Sequence, residues 1–153
     1  MDINSKVEEI KEILVLNGIP ISNKISKEIK INSRTKSRLG CCMLKDGQYH
    51  IEISKSIMND EKLLTQTIAH ELLHTCPYSM NHSARWKCYA NIASGILGCS
   101  IKRVYINTQE KEAKYILKCL ACSKEIKRIR ISKAVKNPSK YRCACGGKLV
   151  RVK

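Results

Sequence analysis

Ile3, Val7, Ile10 and Leu14 recur at steps of four, three and four among polar neighbours. That spacing gathers them on one stripe and predicts an amphipathic helix over residues 2–17, ended by Asn17-Gly18 and Pro20. The period then changes. In KEIKINS (27–33), Ile29 and Ile31 alternate with polar residues, and RLGCCML, Lys45-Asp46-Gly47 and QYHIEIS form a hairpin signature with Tyr49, Ile51 and Ile53 on one face. Three short antiparallel strands are expected. Asn59-Asp60-Glu61 supplies a cap and a favourable first-turn charge for a helix of about four turns that Pro77 cannot continue. A second helix is expected to start at Ser83, pack through Trp86, Ala90, Ala93 and Leu97, and stop at Gly98. Residues 101–106 alternate as a short strand would.

From Ala113 the pattern gives way to lysine, arginine and paired cysteines, which divides the chain into a domain over 1–112 and another over 113–153. Charge sharpens the division. Against 29 basic residues stand 13 acidic ones, a formal +16; residues 113–153 hold thirteen Lys or Arg and one acid, Glu125, so +12 lies there and +4 in the rest. A field so concentrated implies a polyanionic partner, nucleic acid before an anionic membrane surface. A chain of 153 residues, 43% hydrophobic, can bury one modest core and a small satellite that needs extra support. No signal-like leader is read, and the aliphatic runs fall far short of the roughly 20 residues that span a bilayer. The expectation is a cytoplasmic monomer with no membrane contact, at the nucleoid if the source is bacterial. In a reducing compartment, nine cysteines, an odd number, read as metal ligands or small buried hydrophobes and not as disulfides.

HELLH, residues 70–74, is the most specific feature. On a helix, His70 and His74 project from one face a turn apart and can bind one zinc ion, and Glu71 can reach a water beside it. Zinc lowers the pKa of water from 15.7 to about 7, and a neighbouring carboxylate takes the proton as the water attacks a carbonyl. Shuffling this composition produces HExxH with a chance of about half a per cent. A catalytic zinc needs a third protein ligand and an open position. No acid stands between Glu71 and Glu110, and the positions where another subclass keeps glycine and a third histidine are Pro77 and Met80. His82, past a short loop at the head of the next helix, remains. His50, on the strand face opposite Tyr49 and Ile51, reads as an exposed residue. Tyr78 and Tyr49 are the candidates for stabilising an oxyanion.

HELLH, a short loop, NHSARWK and a following helix together resemble the SprT-like zinc metalloproteases, and SRLGCCMLKDGQYHIEIS is similar to that family's segment ahead of the helix. Ser83 stands where the family commonly has glycine. The resemblance implies an α+β, zincin-like domain with a short antiparallel sheet, and a zinc endopeptidase with His70, His74 and His82 on the metal and Glu71 as general base and then acid. It also implies protein substrates bound to DNA.

Cys119-x-x-Cys122 and Cys143-x-Cys145, followed by Gly146-Gly147, predict a second, structural zinc site in a C-terminal β zinc ribbon. About 40 residues bury too little core to fold alone, so the metal supplies much of the folding energy. Between the pairs, KEIKRIRISKAVKNPSKYR alternates isoleucine with basic residues like a strand with one cationic face. Lys127, Arg128, Arg130, Lys133, Lys136, Lys140 and Arg142 could contact phosphates and Tyr141 could stack on a base, DNA being favoured. Cys41, Cys42, Cys76, Cys88 and Cys99 read as buried or incidental thiols. From a different class comes the alternative of a non-proteolytic nucleic-acid-binding or transcription-associated adaptor with a structural zinc at HExxH.

Overall fold

The computed structural model describes residues 2–35, 37–104 and 112–153. The chain divides into two compact units, residues 1–106 and 107–153. In the first, helix α1 (Ile3–Leu16) starts where the Asp2 carboxylate accepts from the Ser5 N–H, and its predicted stripe of Ile3, Val7, Ile10 and Leu14 is buried. Strands β1 (Lys30–Asn32), β2 (Gly40–Lys45) and β3 (Gln48–Ser54) form a sheet in the order β1-β3-β2. The β2–β3 hairpin is the predicted one. Its turn residues Asp46 and Gly47 both have positive φ, 51° and 74°, the mirror-image turn whose twist matches the strands.

The sheet is nevertheless mixed, because β1 runs parallel to β3. The cause is the short connection at 33–39. It must begin and end at the same end of the sheet, and indeed Asn32 lies opposite Ser54 while Gly40 lies opposite Ile53. With β3 inserted between them, β1 and β2 run in opposite directions and β1 is left parallel to β3. On the outer face of β3, His50 is half-buried where exposure was expected.

Helix α2 (Glu61–Leu73) is capped by the Asp60 carboxylate, which accepts from the Leu63 N–H at 2.9 Å. It packs on α1, on β2 and on α3 (Ala84–Leu97), so its C-terminal half, Thr67 to Leu73, is buried all round. α3 opens with the Ser83 hydroxyl accepting from the Trp86 N–H and closes at Gly98, whose φ of 62° lies in the left-handed region. Residues 101–104 are not a strand. Among the described residues no strand lies alongside to satisfy that backbone, and the Lys102 carbonyl turns instead to a histidine. Tyr105 and Ile106 of the predicted strand lie outside the described residues.

In the second unit, β4 (Tyr115–Cys119) is the centre of an antiparallel sheet between β5 (Glu125–Arg128) and β6 (Leu149–Arg151). The expected long cationic strand stops at Arg128, because β4 offers it no partner beyond Tyr115. Ile129 and Ile131 are exposed, and the Ser132 hydroxyl then accepts from the Val135 N–H to start a helical turn, α4 (Lys133–Lys136), that buries Val135. Leu117, Cys119, Val135, Cys143 and Leu149 are the unit's buried apolar residues. Across both units, no described helix is long and apolar enough to cross a membrane.

Candidate metal centres

His70 and His74 leave the buried half of α2 on one side, as their spacing predicts. The intervening loop is turned back at Tyr78, whose φ of 57° is unusual for a residue with a side chain, and His82 arrives beside them just before α3. The Nε2 atom of His70 lies 3.3 Å from that of His74 and 3.0 Å from that of His82. Three imidazole nitrogens around a tetrahedral zinc ion would stand roughly 3.3 Å apart. The ligand spacing is therefore present.

The ring orientations are held from behind. His70 Nδ1 lies 2.8 Å from the Lys102 carbonyl and His74 Nδ1 lies 2.8 Å from the Ser79 carbonyl. Each Nδ1–H donates outward, which fixes the tautomer and leaves the Nε2 lone pair facing the centre. Trp86, 1% exposed, forms the wall beneath all three: its ring stacks on His74 at 5.7 Å and meets His70 and His82 edge-on at 4.8 and 4.7 Å. Burial lowers the pKa of each histidine, that of His70 to about 4, which keeps the rings neutral as metal binding requires.

Glu71 is buried beside this cluster, under β2. A Cβ on Gly40 would stand 2.7 Å from Glu71 Oε1 and 2.8 Å from Thr67 Cγ2, so only glycine lets the strand pass this close over the carboxylate. Burial pushes the Glu71 carboxyl up to about 8, with the Arg38 charge pulling the other way. A group poised near neutrality is suited to accepting and returning a proton. The histidines and Glu71 open on a cleft of about 350 Å³, walled by Arg38 and by Gly40 to Cys42 of β2, and by Met80, Arg103 and Val104. Neither tyrosine candidate lines it. Tyr78 is 84% exposed with Arg85 over its ring, and Tyr49 faces a separate groove with Pro20 and Pro77.

In the second unit Cys119 and Cys122 flank the turn from β4 to β5, and Cys143 and Cys145 precede β6. The sulfurs of Cys119 and Cys145 are 3.5 Å apart and those of Cys122 and Cys143 3.7 Å apart, near the roughly 3.8 Å expected around a tetrahedral zinc. The short Cys-x-Cys spacing works because Gly146, at φ 85°, and Gly147 close a tight turn. A Cβ on Gly147 would stand 2.5 Å from the Cys119 sulfur. The backbone N–H of Cys122 leads the groups that draw the Cys119 thiol down to about 6, favouring the ligating thiolate. Among the described residues, these four cysteines and the three histidines are the two groups placed to hold a metal ion, and their donors fit zinc.

Lys127, Arg128, Arg130, Lys133, Lys136, Lys140, Tyr141 and Arg142 are all exposed on the second unit, and no described carboxylate pairs with the seven cations. Arg142 turns its guanidinium back on the Ser139 carbonyl at 3.3 Å. Sequence reasoning missed Gly40, the two carbonyl clamps and the wall formed by Trp86. A carbonyl carries no sequence signal, but Trp86 stands four residues after His82, one helical turn on, and that spacing could have placed it. The model of the SprT-like family matches residues 20–110. No curated protein matches the chain.

Proposed function

The chain belongs to the SprT-like family, a family of zinc metallopeptidase-like domains, and on that premise we propose that it is a zinc-dependent endopeptidase acting on proteins bound to DNA. The observation that carries this reading is the convergence of three histidine Nε2 atoms at ligand spacing beside a buried glutamate, at the floor of an open cleft.

His70, His74 and His82 would hold a zinc ion, which would supply Lewis acidity to the scissile carbonyl and to an attacking water. Glu71 accepts a proton from that water as its oxygen bonds to the carbonyl carbon. The carboxyl then returns the proton to the amide nitrogen as the C–N bond breaks, leaving an amine and a carboxylate. The substrate enters as an extended segment along β2. This is the sheet's edge strand, with no neighbour beyond it among the described residues, and it borders the cleft at Gly40 to Cys42. The exposed cations of the ribbon bring the peptidase to nucleic acid, and contacts with phosphates make that recruitment salt-sensitive and tolerant of sequence.

The test is cleavage of a basic DNA-binding protein with and without single-stranded DNA, comparing wild type with Glu71→Gln after zinc analysis of both. Cleavage that DNA stimulates in the wild type, and that falls about 100- to 10,000-fold in a variant still holding zinc, supports the reading. Two inert proteins that both bind zinc and DNA would instead make the chain a binding module.

A further inference from the structure

As water attacks, negative charge develops on the scissile carbonyl oxygen, and a hydrogen-bond donor facing that oxygen adds to the Lewis acidity a zinc ion would supply. This inference rests on the peptidase reading and assigns a residue within its site. Both tyrosines lie off the cleft, and the Thr67 hydroxyl is committed to the Leu63 carbonyl at 2.8 Å. Among the described residues, the cations on the walls are Arg38 and Arg103.

The two arginines differ in what they face. Arg38 is tethered to Glu52, with Nη2 3.6 Å from the carboxylate. Arg103 follows Lys102, whose carbonyl clamps His70, so its backbone is anchored at the rim of the histidine cluster. It lines the cleft together with His82, and no described carboxylate lies within ion-pair distance of it. From this difference between the two arginines we propose that Arg103 is the electrostatic catalyst, its guanidinium stabilising the oxyanion that forms on the scissile carbonyl. A planar guanidinium offers paired N–H donors to such an oxygen without itself giving up a proton.

The first test needs no turnover. The full-length protein is loaded with cobalt in place of zinc and titrated with inorganic phosphate, following the visible bands. The four-thiolate site is closed, so the change reports the histidine site alone. Arg103→Gln weakens phosphate about tenfold, Arg103→Lys less, and Arg38→Gln least. Unchanged affinity in Arg103→Gln, or a larger loss in Arg38→Gln, overturns the assignment. With a peptide substrate, Arg103→Gln lowers kcat by roughly 100-fold with KM little changed, the scale of losing one oxyanion donor. A rise in KM with kcat intact would overturn it too, making Arg103 a holder of a substrate side chain. Failure of the peptidase reading shows separately, as a wild type that cuts nothing while the phosphate titration still decides where Arg103 directs its charge.

Discussion

Glu71 is held under the backbone of Gly40, and its proton affinity is raised by burial against the opposing charge of Arg38. Gly40→Ala would force the carboxylate aside, because its terminal oxygen is the atom a Cβ meets first. Peptide cleavage is expected to fall roughly 100-fold, as a displacement near 1 Å at a reacting group does, with zinc content unchanged by metal analysis. Trp86 touches all three imidazoles and is the chain's one tryptophan, so its emission reports the site. Cobalt added to metal-free protein should quench that emission in the wild type and fail to do so in His70→Ala. Trp86→Phe keeps most of the packing, whereas Trp86→Ala costs about 3–5 kcal/mol in denaturant unfolding. Burial raises the thiols of Cys42 and Cys76 from 9.0 to about 12. The folded chain holds these protons after the unfolded chain has released them. Their contribution is therefore complete below pH 9 and is lost as pH climbs from 9 towards 12. Unfolding midpoints across that range should decline less steeply in Cys76→Ala than in wild type.

At the scale of elements, the caps explain why the two site helices begin where they do. Asp60 and Ser83 each satisfy an N–H of the first turn; the sequence placed a cap at 59–61 and marked Ser83 as the start of the second helix. Ser83 also accounts for its own departure from the glycine expected there, since both residue types serve at a helix N-cap. Ser83→Gly should shift stability by only a few tenths of a kcal/mol, and Ser83→Val by about 1 kcal/mol, read from denaturant midpoints with His82 still ligating in the metal-loaded protein. The strand pairing was less legible. Alternation marks a strand and its faces, but parallel or antiparallel direction depends on where the connection begins and ends. Only the pairing of Asn32 with Ser54 decided that. In the ribbon, KEIKRIRIS kept its strand-like period past the point where β4 had any backbone left to pair with, and Ile129 and Ile131 emerged exposed.

The molecule as a whole consists of two units with unequal means of support. The first buries some twenty apolar residues in one cluster, while the second has a handful around its cysteines. Chelation should accordingly separate them: the ribbon's amide signals collapse in NMR spectra when zinc is removed, while those of the first unit persist, because metal binding is folding energy where the core is small. If the ribbon kept its dispersed signals without metal, Leu117, Val135 and Leu149 would be holding it unaided.

The sequence by itself located the candidate metal ligands. His70, Glu71 and His74, and the four ribbon cysteines, are readable because ligand spacing on a helix or around a tight turn is a local property, whereas His82 was reached by excluding the other candidates for a third ligand. It determined the helices as well, through their stripes and caps. Tertiary structure decided what surrounds those groups: the direction of β1, the glycine passage over Glu71, the carbonyls behind two imidazoles, the wall of Trp86 and the placement of Arg38 and Arg103 on one cleft. Each of these brings together residues far apart in the chain, through backbone groups or contacts that leave no periodic trace in the order of the amino acids.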